Sequence, residues 1–198
     1  MKKIVQIVLV LVIVGLAYLV FESIMEPVRF NQEKANREKV VIQRLKDIRS
    51  SQMIYKQLKG SYSTNFDTLV ELLRIAEIPV VKIIPDPTDT TYTKTINDTV
   101  GFINVADSLF GKKTGFTFAS FKTIPFSGGV LFEMKADTID RGGVDVNVFE
   151  AKALYSTFLK GMDEQTIANL ISKFEDIDRY PGLKVGSMIE PSTDGNWE

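Results

Sequence analysis

The chain has 198 residues, a formal net charge of −1, and neither cysteine nor histidine. Without these two residue types it can form no disulfide and no thiolate site. It also lacks the imidazole on which most zinc, copper and iron sites and most nucleophile triads depend. The balanced charge provides no general attraction to nucleic acid. We therefore predict that the protein is not an enzyme and does not bind nucleic acid, and we assign no catalytic, cofactor-binding or metal-binding residues.

An unbroken apolar run extends from Ile4 to Phe21, and Gln6 is its only strongly polar residue. In a helix this run spans about 27 Å, close to the thickness of the hydrocarbon core of a bilayer. The run is longer than the apolar stretch of a cleaved signal peptide, and no pair of small residues at cleavage spacing follows it. Residues 1–21 are therefore predicted to be an uncleaved transmembrane signal anchor that contacts membrane lipid through residues 4–21.

The flanking charges predict the orientation of this anchor. Lys2 and Lys3 precede the apolar run, whereas Glu22 and Glu26 follow it. Lysines before a membrane span favour a cytoplasmic N-terminus, and long domains are exported largely regardless of their charge. The prediction is a single pass through the inner (cytoplasmic) membrane with the C-terminal domain outside the cytoplasm.

The next segment is predicted to be polar at first and amphipathic later. Pro27 marks the change from the membrane helix to the next segment, and residues 22–39 are predicted to form a polar membrane-proximal stalk. Packing is expected to begin at Val40, the start of an exported domain over residues 40–198. A helical stripe follows, made of Val41, Leu45, Ile48, Gln52 and Tyr55, with Met53 and Leu58 at one edge.

Basic residues occupy many of the other helix positions, namely Lys34, Arg37, Lys39, Arg44, Lys46 and Arg49. A patch for anionic lipid or nucleic acid and a solvated helix face both explain them, and the solvated face is the favoured prediction. Gly60 is expected to end this helix. Either Asn65 or Asp67 is expected to cap a second helix that ends before Pro79.

The middle of the chain has strand character. Short strands are predicted at Val80–Ile84, Thr90–Ile96 and Val100–Val105, with a turn at Asn97 and Asp98. Two longer strands, 130–136 and 144–149, are expected around the sequence Asp140-Arg141-Gly142-Gly143. The second of these alternates through Val148, which predicts one buried and one solvated face.

The final quarter returns to a helical pattern. A helix is predicted over 163–179 with Asp163 as its N-cap and with Ile167, Leu170, Ile171, Phe174 and Ile177 on one side. A last strand over 183–188 and a polar tail over 190–198 are expected to follow. The predicted fold class is therefore α+β, with a transmembrane helix continuing into an amphipathic helix packed on an antiparallel sheet, and one late helix.

One stretch resembles the start of the globular domain in type IV pilins and type II secretion pseudopilins. It comprises the amphipathic run Val41–Tyr55, the Gly60-Ser61-Tyr62 turn, and a short second helix containing Phe66, Leu69 and Leu72. The resemblance implies a helix that is half membrane anchor and half packing spine. No glycine precedes the apolar run, because Lys3 leads directly into Ile4. The prepilin processing motif is therefore absent from this chain.

Several residues are candidates for functional sites. Asp86, Asp89, Asp98 and Asp107 offer oxygen ligands for calcium, but turn positions explain them better. The glycines of the Asp140–Gly143 sequence suit an anion or a hairpin turn, and the turn is favoured. Lys184 and Ser187 are not in the order of a Ser-x-x-Lys motif. Glu133 and Glu150 are expected to face solvent rather than to form a catalytic pair, and Trp197 is either a core residue or a partner anchor.

The sequence thus predicts a membrane-anchored envelope protein with a pilin-like exported domain. Its expected role is that of a structural or assembly component that acts through contacts with protein partners. The alternative is a membrane-tethered binding or sensor module for a small ligand or an envelope polymer, recognised in the sheet region.

Overall fold

The computed structural model describes residues 2–85 and 95–198. Its first element, α1 (Lys2–Lys59), is one continuous helix that contains both the apolar run and the amphipathic stripe. Its 58 residues extend over about 87 Å at 1.5 Å per residue. Among the described residues, α1 is the one helix long and apolar enough to cross a membrane, and it is compatible with a transmembrane anchor.

The helix α1 continues through Pro27, in agreement with the prediction that the transmembrane helix continues into an amphipathic helix. Proline removes one backbone donor from a helix and its ring crowds the carbonyl four residues earlier, but its φ already lies near the helical value. The helix nevertheless continues on both sides of Pro27. Arg29 Nη1 and Glu22 Oε1 form an ion pair of 2.8 Å across this point. The apolar run and the following segment therefore form one continuous helix.

Contact between α1 and the rest of the chain begins at Phe30, so the prediction that packing begins at Val40 is wrong. Phe30 is buried, whereas Val40 is 44% exposed. Further along the helix, Arg37 Nη1 donates to the carbonyl oxygens of Phe158 and Lys160 at 3.1 and 3.0 Å. The later part of the predicted stalk is therefore docked on the domain rather than free.

The predicted stripe is the buried side of α1. Val41, Leu45, Ile48 and Gln52 are fully buried, and Tyr55 packs against the core. Met53 and Leu58 were expected to widen this side, but both are exposed. The stripe is therefore narrower than predicted.

The basic residues of α1 are not only a solvated face. Arg49 Nη1 donates to both carboxylate oxygens of Glu198, at 2.9 and 3.1 Å. Arg44 Nη1 donates to Ser120 Oγ at 3.2 Å. The long arginine side chains extend beyond the apolar stripe. Their guanidinium groups donate hydrogen bonds to residues that are distant in the sequence and so hold those residues against the helix. The prediction of a solvated face is wrong for these two arginines and for Arg37.

The turn after α1 follows the sequence expectation. Gly60 has φ 82°, a conformation that favours glycine after a helix, and its N–H donates to the carbonyl of Lys56 at 2.8 Å. The second helix, α2 (Phe66–Ile75), is capped by Asn65, whose side chain accepts from Thr68 N at 2.9 Å. Asn65 rather than Asp67 is therefore the N-cap.

Strands β1 (Glu77–Pro85) and β2 (Thr95–Asn104) form an antiparallel two-stranded ribbon. The predicted turn at Asn97 and Asp98 is wrong, because both residues lie within β2, opposite Ile83 and Lys82. The predicted strand over 90–96 begins outside the described residues, and its last two positions open β2. Asparagine and aspartate favour a turn by local preference, yet strand pairing overrides that preference here.

The second sheet contains β3 (Glu133–Asp140), β4 (Asp145–Leu154) and β5 (Gly182–Gly186), in the order β3-β4-β5, all antiparallel. The turn between β3 and β4 falls at the predicted glycines. Strand β4 does not alternate as predicted, because Val148, Phe149, Glu150 and Ala151 are all buried. It is the central strand, α1 contacts it on one face, and lysine side chains pair with Glu150 on the other.

Four short helices complete the fold within the described residues: α3 (Val105–Phe110), α4 (Phe118–Lys122), α5 (Tyr155–Phe158) and α6 (Glu164–Glu175). The sequence predicted only the last. Asp163 is its N-cap, accepting from Thr166 N at 2.6 Å. The helix ends at Glu175, before the predicted Arg179, and Ile177 is 57% exposed rather than on the packed side. The α+β class, with a long N-terminal helix, a small antiparallel sheet and a later helix, is confirmed.

Candidate interaction surface

The β1–β2 ribbon carries a cluster of exposed apolar side chains on the described part of the domain. Both strands are rich in β-branched and aromatic residues, which is typical of a buried strand. The large apolar side chains that remain exposed on it are Val80, Val81, Ile83, Ile96, Val100, Phe102 and Ile103. Ile83 and Phe102 are each 68% exposed. A cluster of this kind marks an interaction site more often than a plain solvent-facing surface.

The register places these side chains on both faces of the ribbon. Val81 lies opposite Thr99 and Pro79 opposite Phe102 on one face, while Val80 lies opposite Gly101 on the other. The register shifts between Val80 and Val81, which is the signature of a bulge. Because neither face is covered by another described element along its length, the ribbon cannot form a core of its own.

The base of the ribbon is fixed firmly to the domain. Asn104 Nδ2 donates to the carbonyl of Arg74 at 2.8 Å, and Asn104 Oδ1 accepts from Ala106 N at 2.9 Å. Val105 N donates to the carbonyl of Ala76 at 3.0 Å. These bonds join the end of α2 to the start of α3 on either side of the ribbon. The ribbon is therefore held at a defined place although its strands pair only with each other among the described residues.

The main sheet, in contrast, has both edges protected. Along β5, Gly186 N donates to the carbonyl of Asp194 at 2.9 Å and Asn196 N to that of Lys184 at 3.0 Å, so the C-terminal segment covers this edge. Along β3, charged residues recur, and edge charges discourage pairing with another strand. Among the described strands, those with uncovered edges and few charged residues are therefore β1 and β2.

Glu133 and Glu150 are brought together by lysines on the outer face of the main sheet. Lys152 Nζ lies 3.1 Å from Glu150 Oε1 and 3.8 Å from Glu133 Oε1, and Lys184 Nζ lies 3.2 Å from Glu150 Oε2. A hydrogen bond from Lys135 lowers the pKa of the Glu133 carboxyl, with Lys152 adding to the effect. Glu133 faces solvent as predicted, but Glu150 is buried. The arrangement is typical of a structural ion-pair network.

Two tyrosines lie beside charged groups. Burial raises the pKa of the Tyr180 phenol, and the nearby Glu133 and Glu150 carboxylates act in the same direction. Burial likewise raises the pKa of Tyr155, with Glu38 adding to the effect. Both phenols are therefore protonated at neutral pH. This favours a packing role for both over a role as general base.

Of the four aspartates considered as calcium ligands, the two that the structure describes do not belong to a cluster of metal ligands. Asp86 and Asp89 lie outside the described residues, Asp98 lies in β2, and Asp107 lies in the first turn of α3. Within residues 2–85 and 95–198, no group of three or more carboxylates is placed to hold a metal ion.

The remaining candidates have local structural roles. In the β3–β4 turn, Asp140 Oδ1 accepts from Gly143 N at 2.8 Å, and the adjacent glycines have positive φ, as the hairpin prediction requires. Ser187 Oγ accepts from Ile189 N at 3.2 Å, whereas Lys184 pairs with Glu150. These two residues therefore do not act together.

Trp197 packs against the core at the end of the C-terminal segment, over Gly195. Its buried Nε1 has no hydrogen-bond partner among the described residues. Asn196 holds this segment in place, with its side chain accepting from Lys184 N at 3.0 Å and donating to the carbonyl of Gly182 at 2.9 Å. The structure thus favours the core role over the partner anchor, and the predicted polar tail is packed.

Comparisons of the chain with protein-family models, with curated proteins and with solved structures find no match. The resemblance to pilins and pseudopilins therefore stays a prediction, carried by the residues given above.

Proposed function

We propose that this chain is a single-pass envelope protein of the inner membrane whose pilin-like exported domain acts as an assembly component through protein–protein contacts. In this proposal α1 is both the membrane anchor and the spine of the domain, so the domain is held at a set height above the bilayer. The observation that carries the proposal is the exposed apolar β1–β2 ribbon, a surface whose strands have open edges and whose base is fixed to the domain.

The occupant we propose for the ribbon is an extended segment of a protein partner. Strand addition suits a surface that offers unpaired backbone groups along an edge and apolar side chains on its faces. The described part of the ribbon carries few charges, among them Glu77, Lys82 and Asp98, so a largely uncharged segment is the complementary partner. Lipid is a poor occupant, because an open sheet edge in hydrocarbon would leave backbone groups without hydrogen bonds.

Site-specific photo-crosslinking in intact membranes tests this function. A photoreactive residue at Phe102 is expected to give a crosslinked protein product, and one at the exposed Ile177 is the matched control. The product should disappear on Val81→Lys, because a lysine desolvated in an apolar contact is costly. The melting temperature of the variant should stay nearly unchanged, because Val81 is 43% exposed and is not among the residues that pack against the hydrophobic core. A product of about twice 22.2 kDa would identify a second copy as the partner. A chain that yields only monomer from Phe102 would contradict the proposal.

The alternative function, a tethered binding module, has its own supporting observation in the sheet region. A pocket of about 210 Å³ lies beside the ion-pair network, lined by Glu133, Lys152 and Tyr180 together with apolar side chains. Its volume is below the usual range for ligand sites. We therefore prefer the assembly function.

A further inference from the structure

A groove beside α1 has no part in the function proposed above. It lies between α1 and the loop that joins α3 to α4, and its volume is about 330 Å³. We call it the cationic groove and define it by Lys39, Arg44 and Asp47 of α1 and by Lys113 and Phe116 of the loop. This volume falls at the lower end of the range for small-molecule sites.

The loop side of the cationic groove is well ordered by contacts. Lys113 Nζ forms an ion pair with Asp47 Oδ1, and Lys113 N donates to the carbonyl of Phe110 at 2.8 Å. The Phe116 ring is stacked on that of Phe110, with centroids 3.9 Å apart. The groove therefore has one fixed apolar wall and one fixed charged wall.

The charges of the groove do not cancel. Asp47 is buried and accepts from Gln43 Nε2 at 3.0 Å in addition to its pair with Lys113. Within the described part of the chain, no carboxylate oxygen lies within 4.0 Å of the side-chain nitrogens of Lys39 or Arg44. With Lys113 offsetting Asp47, Lys39 and Arg44 leave two positive charges facing the groove.

A hydrogen bond to α4 fixes the position of the Arg44 side chain. One of its terminal nitrogens donates to Ser120 Oγ, and burial lowers the pKa of the guanidinium. An arginine stays charged despite such a shift, because its ordinary pKa is so high. Its remaining N–H groups form a planar fork that matches the oxygens of a phosphate or a carboxylate.

The length of α1 decides between a lipid headgroup and a soluble anion. Taking Ile4–Phe21 as the membrane span, Lys39 lies about 27 Å beyond the hydrocarbon core along the helix. The headgroup layer is about 5–8 Å thick. If the helix were tilted by about 40°, Lys39 would still lie roughly 20 Å from the hydrocarbon core. Headgroups of the anchoring membrane therefore do not reach it.

We propose that the cationic groove binds a small water-soluble dianion, such as a phosphate ester or a dicarboxylate. Lys39 and Arg44 bind its oxygens, and the Phe116 ring forms the wall beside its apolar part. The assignment is of a binding site, with no reaction attached to it, and it does not depend on the ribbon having a partner.

Calorimetric titration of the full-length chain in a neutral detergent with inorganic phosphate at pH 8 tests the proposal. Chloride at equal ionic strength is the monoanion control. Saturable phosphate binding is expected, and Lys39→Gln and Arg44→Gln should each weaken it about tenfold or more. Lys173→Gln, an exposed lysine on α6, should leave it unchanged. Lys39 is exposed, so its variant keeps the test valid if the Arg44 variant fails to fold.

Two results would overturn this site. One is phosphate binding no tighter than that of chloride, or equally tight in the Lys39→Gln chain. The other comes from chains reconstituted in nanodiscs of anionic or of neutral lipid at matched ionic strength. Loss of phosphate binding only in the anionic discs would identify the headgroup as the occupant. Equal phosphate binding in both lipids is the result that supports a soluble ligand.

Discussion

Phe121→Ala is expected to lower the free energy of unfolding of the domain by about 3–5 kcal/mol. Phe121 is fully buried in α4, and its ring centroid lies 5.9, 5.7 and 6.0 Å from those of Phe66, Phe110 and Phe116. Truncation removes the apolar contacts and leaves a cavity. The surrounding elements are packed together and cannot move inward to fill it. Denaturant unfolding of the full-length chain in detergent, followed by circular dichroism, measures the change.

Phe102→Ala is the matched control, because the same side chain is deleted from a position that is 68% exposed. Its effect on the free energy of unfolding should stay within about 0.5 kcal/mol, as is usual for surface substitutions. An equal loss in the two variants would mean that the ribbon packs against the domain, and would remove the observation on which the proposed function depends.

Gln52→Leu is expected to destabilise the domain by about 2–5 kcal/mol. The Gln52 side chain is fully buried, donates to the carbonyl of Ser63 at 2.8 Å and accepts from Ser63 N at 2.8 Å. Leucine has a similar size but leaves both backbone groups buried without a partner, at about 1–3 kcal/mol each. Thermal unfolding of the full-length chain measures the loss, and an unchanged melting temperature would show that water satisfies Ser63 instead.

With Gln52→Glu, the stability of the domain is expected to depend on pH through this one site. The carboxyl group still accepts from Ser63 N when ionised, but it can donate to the Ser63 carbonyl only when protonated. Burial raises the folded-state pKa of such a group above its unfolded value of about 4.3. The stability of the variant should therefore be greatest below that unfolded value and should fall as pH rises through the folded pKa. A pH profile parallel to that of the wild type would contradict this account.

Strong periodic patterns predicted much of the fold. The stripe from Val41 to Gln52, the Gly60 helix end, the Asp163 N-cap and the β3–β4 hairpin are all confirmed, because each depends on local chemistry or on one continuous apolar face. The continuation of the transmembrane helix into the amphipathic helix was also predicted and is confirmed, although Pro27 is a helix breaker by local preference. Docking at Phe30 was missed because one aromatic residue among polar neighbours forms no stripe.

The candidate surfaces were harder to predict, since exposure depends on which elements meet in space. The residues of the ribbon predicted strands but not their exposure, because apolar residues at consecutive positions, such as Val80 and Val81, are also common in buried strands. The cationic groove joins helix and loop residues that are far apart in sequence. Its one sequence signal was the set of basic residues on α1, for which the solvated face was the simpler interpretation.

Protease accessibility of the domain in spheroplasts tests most directly whether this is an envelope protein anchored by α1. Protease added outside is expected to remove everything beyond the membrane and to leave a short fragment containing Ile4–Phe21. A cytoplasmic reporter should stay intact in the same sample. A domain that remains protected until the membrane is permeabilised would contradict the account, because the ribbon and the groove would then face the cytoplasm.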